Sequence, residues 1–493
     1  MKCARGRFLA SAGGPSRLLF RILPLAAVAF AGSAAGQARM RHPLGAGGEA
    51  EEYLRFLQTT GEVAPYPWTV RAFSRAEGDR LVSATDHPWA RWREVRGDTT
   101  GAAVVLLPVR VRGGYNSAFP YGTNDGAVWA GRGGVASVQG GIALRAGILS
   151  ISINPTAFVA ENREFGLRGN GQGGDSVYAD GLHPAIIDQP QRFGPGRYAR
   201  VDPGESYARL DAGVVALGVS TATEVWGPGS EYPILLGGAG PGFPHAFAGT
   251  ARLLNLGLAR VHGRVVYGRT EQSAYSPVRE GTGTRRFASG IVAMIQPRRM
   301  GGLELGGARF FHTPWPEDGL SGDDLGTPFR GIFPGRSRPD SADGGEFEIN
   351  QLASVFFRWP FVRSGFEAYG EYARNDYSAN ARDLLLEPDH ASAYMLGVRR
   401  AWRPSPTRMA TLRAEVLNAR VSHLVNVRSQ APFTVHTGVR QGHTHFGQPL
   451  GARAAYGGAG AIVAADLYHP RGRWSASWTR EERGAPDPSN PDG

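Results

Sequence analysis

Short segments in which apolar and polar residues alternate make up most of this chain after position 100. Segments 303–311, 366–373 and 411–421 are examples. Successive side chains of a β-strand point to opposite faces, so each segment predicts a strand with one apolar and one polar face. The 70 glycines are dispersed through the chain, which suits strands joined by turns. The sequence therefore predicts an all-β fold.

The first 36 residues predict an export signal that is not part of the fold. A cationic start precedes an apolar stretch at 22–32, which is too short to span a bilayer as a helix. Small residues follow, and we expect cleavage between Ala35 and Ala38. The one cysteine, Cys3, would be removed with this segment, so neither disulfides nor thiolate chemistry is expected.

An exported chain with this strand pattern predicts a closed, antiparallel transmembrane β-barrel over 101–480, located in an outer membrane. Lipid cannot satisfy an open sheet edge, so a sheet spans a membrane only when it is closed. A tight connection at 297–301 contrasts with long ones at 166–208, 313–346 and 427–449, as in barrels with short periplasmic turns and long outer loops. At roughly 20 residues per strand and connection, we expect on the order of 16–20 strands.

The two ends of the mature chain differ from this pattern. Residues 37–100 predict a small helical module on the periplasmic side, with about two helical turns at 51–57 that carry their apolar side chains on one face. A capping box at 74–77 predicts the start of a further helix. The tail 481–493 contains three prolines and is predicted to be disordered.

The charge balance is basic, with 54 Lys and Arg against 43 Asp and Glu. Five of the cations belong to the export signal, and Lys2 is the only lysine. A GC-rich genome would explain this preference for arginine; alternatively, guanidinium groups suit anionic sugars and lipid phosphates. The sequence has no nucleic-acid-binding module, phosphate-cradling loop or zinc-binding spacing, so we expect no nucleic-acid partner and no cofactor.

Two motifs combine aromatic, amide and carboxylate groups in the way that sugar-binding sites do. The first contains Asn124, Asp125, Trp129 and Arg132. It is equally typical of a turn before a strand, with a tryptophan at the membrane interface. The second contains Glu224 and Trp226 on one face at the end of a strand, and sugar binding and a membrane-interface role both remain open for it.

Catalysis and metal binding are weakly indicated. Glu367 and Glu371 resemble the carboxylate pair of a glycosidase. However, four residues along one strand separate them by roughly 13 Å, so arginine partners are expected instead. His443 and His445 alternate on a strand near Gln448, but no third metal ligand is evident, and nothing marks a nucleophile for a lipase. We expect neither a metal site nor an enzyme.

Seven of these segments resemble, in the same order, those of the Wzi-like capsule assembly family. They are NSAFPYGTNDGAVWAGRG (116–133), TEVWGPG (223–229), GFPH (242–245), NQLASVFFRW (350–359), EAYGEYARND (367–376), LEPDHASAYMLG (386–397) and GHTHFGQPLGA (442–452). The resemblance implies an eighteen-stranded barrel, a helical bundle on its periplasmic side, and a surface lectin that ties capsular polysaccharide to the outer membrane. Its candidate polysaccharide-binding residues are Asn124, Asp125, Trp129, Arg132, Glu224, Trp226, Glu367, Glu371, His443, His445 and Gln448.

The function that this resemblance favours is anchoring of capsular or other surface polysaccharide, with outer-membrane lipid as the second partner and without catalysis. The alternative is a sugar-conducting outer-membrane porin, since aromatic residues that line a lumen would serve transport equally well.

Overall fold

The structure is a computed structural model that describes residues 49–71, 103–278, 284–316, 318–329, 349–375, 389–421, 431–436 and 439–483. All of these residues belong to one compact unit that begins at Met40. The predicted export signal, the capping box at 74–77 and the end of the tail lie outside the described residues.

Helices are few and short. Helix α1 (Glu49–Thr59) confirms the helix predicted at 51–57 and extends it by two residues at each end. Its apolar residues Tyr53, Leu54 and Leu57 are buried, as expected for one face of an amphipathic helix. Helix α2 (Gly322–Gly326) begins at a capping box formed by Ser321. Short 3-10 helices occur at Gly174–Tyr178, Thr327–Phe329 and Arg453–Ala455. Within the described ranges, no helix has the length and apolar character needed to cross a membrane.

Strands account for most of the regular structure. They are β1 (Ala103–Leu106), β2 (Arg110–Asn116), β3 (Gly133–Gln139), β4 (Ile142–Ala146), β5 (Leu149–Ile153), β6 (Thr156–Ala160), β7 (Tyr198–Asp202), β8 (Tyr207–Ala212), β9 (Val215–Ser220), β10 (His245–Thr250), β11 (Leu254–Asn255), β12 (Ala259–Glu271), β13 (Arg285–Pro297), β14 (Glu304–Pro314), β15 (Asn350–Phe361), β16 (Phe366–Asn375), β17 (Ser392–Ser405), β18 (Arg408–Asn418), β19 (Thr444–His445), β20 (Gln448–Pro449), β21 (Ala459–His469) and β22 (Gly472–Glu482).

The principal sheet is antiparallel and has 16 strands. Its order is β1-β4-β5-β8-β9-β10-β12-β13-β14-β15-β16-β17-β18-β21-β22, with β11 beside β12. A second, four-stranded sheet has the order β2-β3-β6-β7. The pair β3–β6 in this sheet and the pair β4–β5 in the principal sheet are consecutive parts of one hairpin. The register shows this, because Gln139 faces Thr156 in one sheet and Ile142 faces Ile153 in the other. Strands β19 and β20 form a separate pair.

The sheet is open within the described residues, where no pairing joins β1 to β22. The predicted all-β, antiparallel character is therefore confirmed, whereas the predicted closure and strand number are not shown. One predicted boundary is wrong, because β22 continues through Glu481 and Glu482, which the sequence analysis placed in a disordered tail. These two residues extend the ladder opposite Gly460 and Ala459, so backbone pairing orders them.

The strands alternate between a buried and an exposed face, as the sequence predicts. On β17, Met395 and Arg399 are buried, whereas Leu396, Val398 and Trp402 are exposed. Large apolar side chains on the exposed face of successive strands are typical of a sheet that faces lipid. The buried face also carries charged residues, such as Arg399 on β17 and Glu367 on β16.

Two chain segments fold against the buried face of the sheet and fill the space there. Trp226, Ile234 and Phe243 from 221–244, together with Phe433 and Leu450 from 431–458, are buried in one apolar cluster. Residues of the sheet complete this cluster, namely Phe310, Phe356, Tyr369 and Met395. We call 221–244 and 431–458 the inward segments. They place an apolar core against the buried face of the sheet.

Ion pairs anchor α1 against the buried face. Arg55 donates to Glu367 Oε1 from Nε at 2.8 Å and from Nη2 at 2.6 Å. The other oxygen of Glu367 accepts from Arg358 Nη2 at 2.7 Å, and Arg358 Nη1 donates to Glu304 at 2.7 Å. These four side chains have no exposed surface. The chain after α1 meets the tight turns of the sheet, where Arg403 pairs with Glu62.

Replacement of Glu367 by glutamine is expected to destabilise the fold, because Arg55 then has no carboxylate partner in a buried site. Loss of one member of a buried ion pair costs about 3–5 kcal/mol. The measurement is the temperature at which the folded protein changes its migration on detergent gels. Glu482→Gln is the control, because Glu482 pairs with Arg420 in an exposed position and surface pairs contribute little. Equal unfolding temperatures for the two variants would contradict the assignment.

Candidate functional site

The two ends of the sheet differ in their connections. At one end lie the tight turns between β13 and β14 and between β15 and β16, with α1 close by. Gln296 Nε2 donates to the Pro65 carbonyl there at 3.4 Å. At the opposite end, the connections 117–132, 161–197 and 419–458 are long. We call this the long-loop end.

A cleft of about 400 Å³ opens at the long-loop end, and we call it the outer cleft. Its aromatic lining consists of Phe119, Tyr121, Trp129, Phe165 and Tyr456. Phe119 is 62% exposed and Tyr121 is 41% exposed, so their rings are accessible from solvent. Its polar lining consists of Arg168, Asp180, Gln189, Gln191, Arg453 and Arg483. Aromatic rings beside planar polar groups are the features that the sequence analysis associated with sugar binding.

Trp129, which lines the outer cleft, is hydrogen-bonded to Asn162 behind it. Asn162 is buried and has a φ of 51°, a conformation that asparagine adopts more readily than most residues. Its amide donates to the carbonyls of Phe193 and Gly194 at 2.9 and 3.2 Å. Its Oδ1 accepts from Trp129 Nε1 at 3.4 Å, and the Trp129 ring lies 4.7 Å from that of Phe193. The edge of the cleft formed by Trp129 is therefore held in place by Asn162 and Phe193.

Asp180 and Arg453, two charged residues in the wall of the outer cleft, differ in their hydrogen-bond partners. Asp180 Oδ1 accepts from the Leu182 and His183 amides and from the Tyr456 hydroxyl, at 2.9, 2.7 and 2.9 Å. Its charge is thus used to brace the loop. Arg453 Nη2 donates to the Ala239 carbonyl at 2.7 Å. Burial lowers the pKa of Arg453 to about 10, and the charge of Arg483 adds to this effect.

The first predicted motif is divided between two places. Asn124 and Asp125 line a separate inner cavity of about 140 Å³, whereas Trp129 lines the outer cleft. Asn124 Nδ2 donates to the carbonyls of Ser230 and Glu231, so it links its loop to an inward segment. Arg132 is half-buried and donates to the Ser117 carbonyl at 3.1 Å and to that of Glu164.

The second predicted motif lies within the core. Trp226 has no exposed surface, and its indole donates to Glu224 Oε2 at 3.1 Å. Arg264 Nη1 donates to Glu224 Oε1 at 2.6 Å, and His245 Nε2 lies 3.4 Å from the same oxygen. Burial raises the pKa of Glu224, but the charge of Arg264 and the bonds from His245 and Trp226 outweigh it and lower the pKa to about 2. A buried tryptophan cannot stack on a glycan in this conformation.

The carboxylate pair on β16 also has structural partners. Glu367 has the arginine partners that the sequence predicts. For Glu371 the expectation is wrong within the described residues, where it has no arginine ion pair and instead accepts from the Ile234 amide at 3.2 Å. The difference arises because the inward segment 221–244 covers Glu371, and Arg71 acts on it without forming an ion pair.

The histidine motif connects the second inward segment to its surroundings. His443 Nδ1 lies 2.9 Å from His312 Nε2, and its Nε2 contacts the Leu235 carbonyl. His445 Nδ1 accepts from the Glu271 amide at 3.0 Å, and Gln448 Nε2 donates to the Ala127 carbonyl at 3.2 Å. Burial lowers the pKa of His443 to about 4, and burial with the charges of Arg200 and Arg269 lowers that of His445 to about 3. The described residues contain no group of three His, Cys, Asp or Glu side chains that could hold a metal.

Comparison with solved structures identifies the architecture. Wzi, the Escherichia coli outer membrane protein involved in group 1 capsule assembly and a carbohydrate-binding β-barrel, matches with a TM-score of 0.56. The match covers 90% of this chain and 86% of Wzi at 14% identity. The chain has the fold of Wzi. The predicted resemblance is thus confirmed for the fold, which the order of the motifs had indicated.

Other matches have lower TM-scores. OccK9 (OpdG) of Pseudomonas aeruginosa is 12% identical, covers 77% of this chain and 93% of its own, and has a TM-score of 0.28. OmpT of Vibrio cholerae is 8% identical, covers 76% and 99%, and also has a TM-score of 0.28. OmpT is an outer membrane protein, as is Wzi. No family model and no curated protein matches the sequence.

Acid is expected to destabilise the packing of the second inward segment. The folded-state pKa of His443 is lowered to about 4, so its contribution to stability is complete above about pH 6.5 and is lost as the pH falls towards 4. The loss amounts to about 3 kcal/mol. The unfolding temperature should therefore fall between pH 7 and 4.5, and His443→Gln should flatten that dependence.

His469→Gln is the matched control, because His469 lies at the end of β21, outside the inward segments. It should leave the pH dependence unchanged. An equally steep dependence in the His443 variant would refute this explanation.

Proposed function

We propose that this protein is an outer-membrane β-barrel that holds capsular or other surface polysaccharide at the cell surface, without catalysis. The observation that carries the proposal is the outer cleft, with exposed aromatic rings beside arginine and glutamine side chains. Aromatic rings can cover the C–H faces of pyranose rings while the polar groups bind hydroxyls. The carbohydrate-binding character of Wzi, which shares the fold, supports the same function here.

A closed barrel places this cleft on the outside of the cell. In this proposal, residues 1–36 are the export signal, 37–100 form the periplasmic module around α1, and the chain from 101 onward closes into about 18 strands. A contact between the residue after the last strand and the loop after β2 supports closure. Arg483, next after β22, donates to the Gly122 carbonyl at 2.9 Å, and its guanidinium lies 4.9 Å from the centre of the Tyr121 ring. Both partners belong to the loop after β2.

The alternative, a sugar-conducting porin, requires a continuous aqueous path. Apolar side chains of both inward segments pack together against the sheet, and Trp226, Ile234 and Leu235 have no exposed surface. Such packing favours retention of polysaccharide on the outer surface over transport. Catalysis by Glu224 and Glu367 is also disfavoured, because these carboxylates form buried ion pairs with arginines.

In planar lipid bilayers, the purified protein is expected to give no steady open-pore current, because the inward segments occupy the interior. A variant that lacks 431–458 should conduct, if it still shows the gel shift of a folded barrel. Steady conductance of the intact protein would favour the porin function.

The Phe119→Ala, Tyr121→Ala double variant is expected to release polysaccharide from cells into the medium. Removal of each stacking aromatic costs on the order of 1 kcal/mol, so the affinity should fall at least about tenfold. The measurement is cell-bound against shed polysaccharide in a deletion strain that carries each variant.

Tyr115→Ala is the matched control. Tyr115 is an exposed tyrosine on β2, near the same loop, but it does not line the outer cleft. This variant should retain the polysaccharide as the unaltered protein does. Full retention by the double variant, or no shedding in the deletion strain itself, would refute the assigned role.

A further inference from the structure

One arginine in the outer cleft has no carboxylate partner. Arg453 is only 8% exposed, yet no described Asp or Glu forms an ion pair with it. Nη2 donates to the Ala239 carbonyl and to Gln448 Oε1, at 2.7 and 3.3 Å. Nε is buried and has no hydrogen-bond partner in the described part of the chain. Buried charged groups are normally paired, so an unpaired one in a cleft wall points to a ligand.

Asp125 and Glu481 lie near enough to act on the charge of Arg453, but neither forms an ion pair with it. The outer cleft contains two further arginines, Arg168 and Arg483, against the single carboxylate of Asp180. Asp180 is committed to two backbone amides and the Tyr456 hydroxyl. Glu481 forms its ion pair with Arg483. Among the described residues, Arg453 therefore has no carboxylate in contact with it, a position that an anionic ligand would fill.

The shape of this charge favours a carboxylate. A guanidinium group is planar and presents parallel N–H donors that match the two oxygens of a carboxylate. The aromatic rings of Phe119, Tyr121 and Phe165 line the same cleft and provide surfaces for a sugar ring. A ligand that satisfies both features is a pyranose that bears a carboxylate.

We propose that the outer cleft binds an acidic sugar of the polysaccharide, with its carboxylate at Arg453. This inference rests on the proposed function, because it specifies which class of polysaccharide is held. Arg168 adds attraction at the cleft and the aromatic residues contact the ring. Neutral polysaccharides would leave the Arg453 charge without a partner and would bind less tightly.

The test compares two forms of one polymer. Surface polysaccharide from the cells that make this protein is bound, native or after reduction of its carboxylates to primary alcohols, by the full-length protein in detergent. Reduction should weaken binding at least about tenfold, and salt should weaken binding of the native polymer alone. Equal binding of the two forms would overturn the acidic-sugar inference and leave the proposed function standing. Failure to bind either form would count against the proposed function itself.

Variants place the effect at the cleft. Arg453→Met and Arg168→Gln should each reduce the difference between native and reduced polymer, to within about threefold for Arg453→Met. Arg168→Gln keeps the test decisive if Arg453→Met does not fold, because Arg168 is an exposed residue. Arg163→Gln is the control, since it makes the same charge change at the same end in a residue that does not line the cleft. An undiminished preference in both cleft variants would refute the assignment.

Discussion

The pairing of buried charges determines how the interior of this protein can be filled. Glu367 on β16 joins Arg55 of α1 to Arg358 of β15, and none of the three has exposed surface. Moving a charge out of water is costly, so each partner holds the others in place. Arg55 also donates to the Ser230 hydroxyl at 2.8 Å, which extends the same constraint to an inward segment. The helix, the sheet and the segment 221–244 are therefore positioned by one connected set of bonds.

Backbone groups of the inward segments complete this arrangement. Glu415 on β18 accepts from three consecutive amides, those of Ser230, Glu231 and Tyr232, at 2.9, 2.8 and 3.1 Å. The amides and carbonyls of a buried loop need hydrogen-bond partners in the protein, because water does not reach them. Polar residues on the buried faces of the strands therefore serve the inward segments. These bonds hold the inward segments against the buried face of the sheet.

Periodicity in the sequence was enough to predict the strands and which faces they bury, because a strand repeats every two residues. It also predicted α1, because the apolar residues of a helix recur every three to four residues on one face. It could not separate Asn124 from Trp129, since a loop can direct neighbouring side chains into different cavities. It also missed Tyr121, Asn162 and Arg453, whose proximity depends on strand pairing across hundreds of residues. Local patterns likewise cannot predict whether β1 pairs with β22.

The two predicted sugar-binding motifs illustrate how chemistry and burial must be considered together. Glu224 beside Trp226 has the composition of a sugar site, yet the same composition also makes a satisfied buried cluster with Arg264. The residues of the outer cleft are less conspicuous in sequence but remain accessible. A cleft of about 400 Å³ is small beside a long polymer, so a single contact need not be tight. Many copies in one membrane that hold one repetitive chain gain avidity from effective concentration. For the proposed function, weak recognition of one sugar at a time would therefore be sufficient to retain a surface polysaccharide.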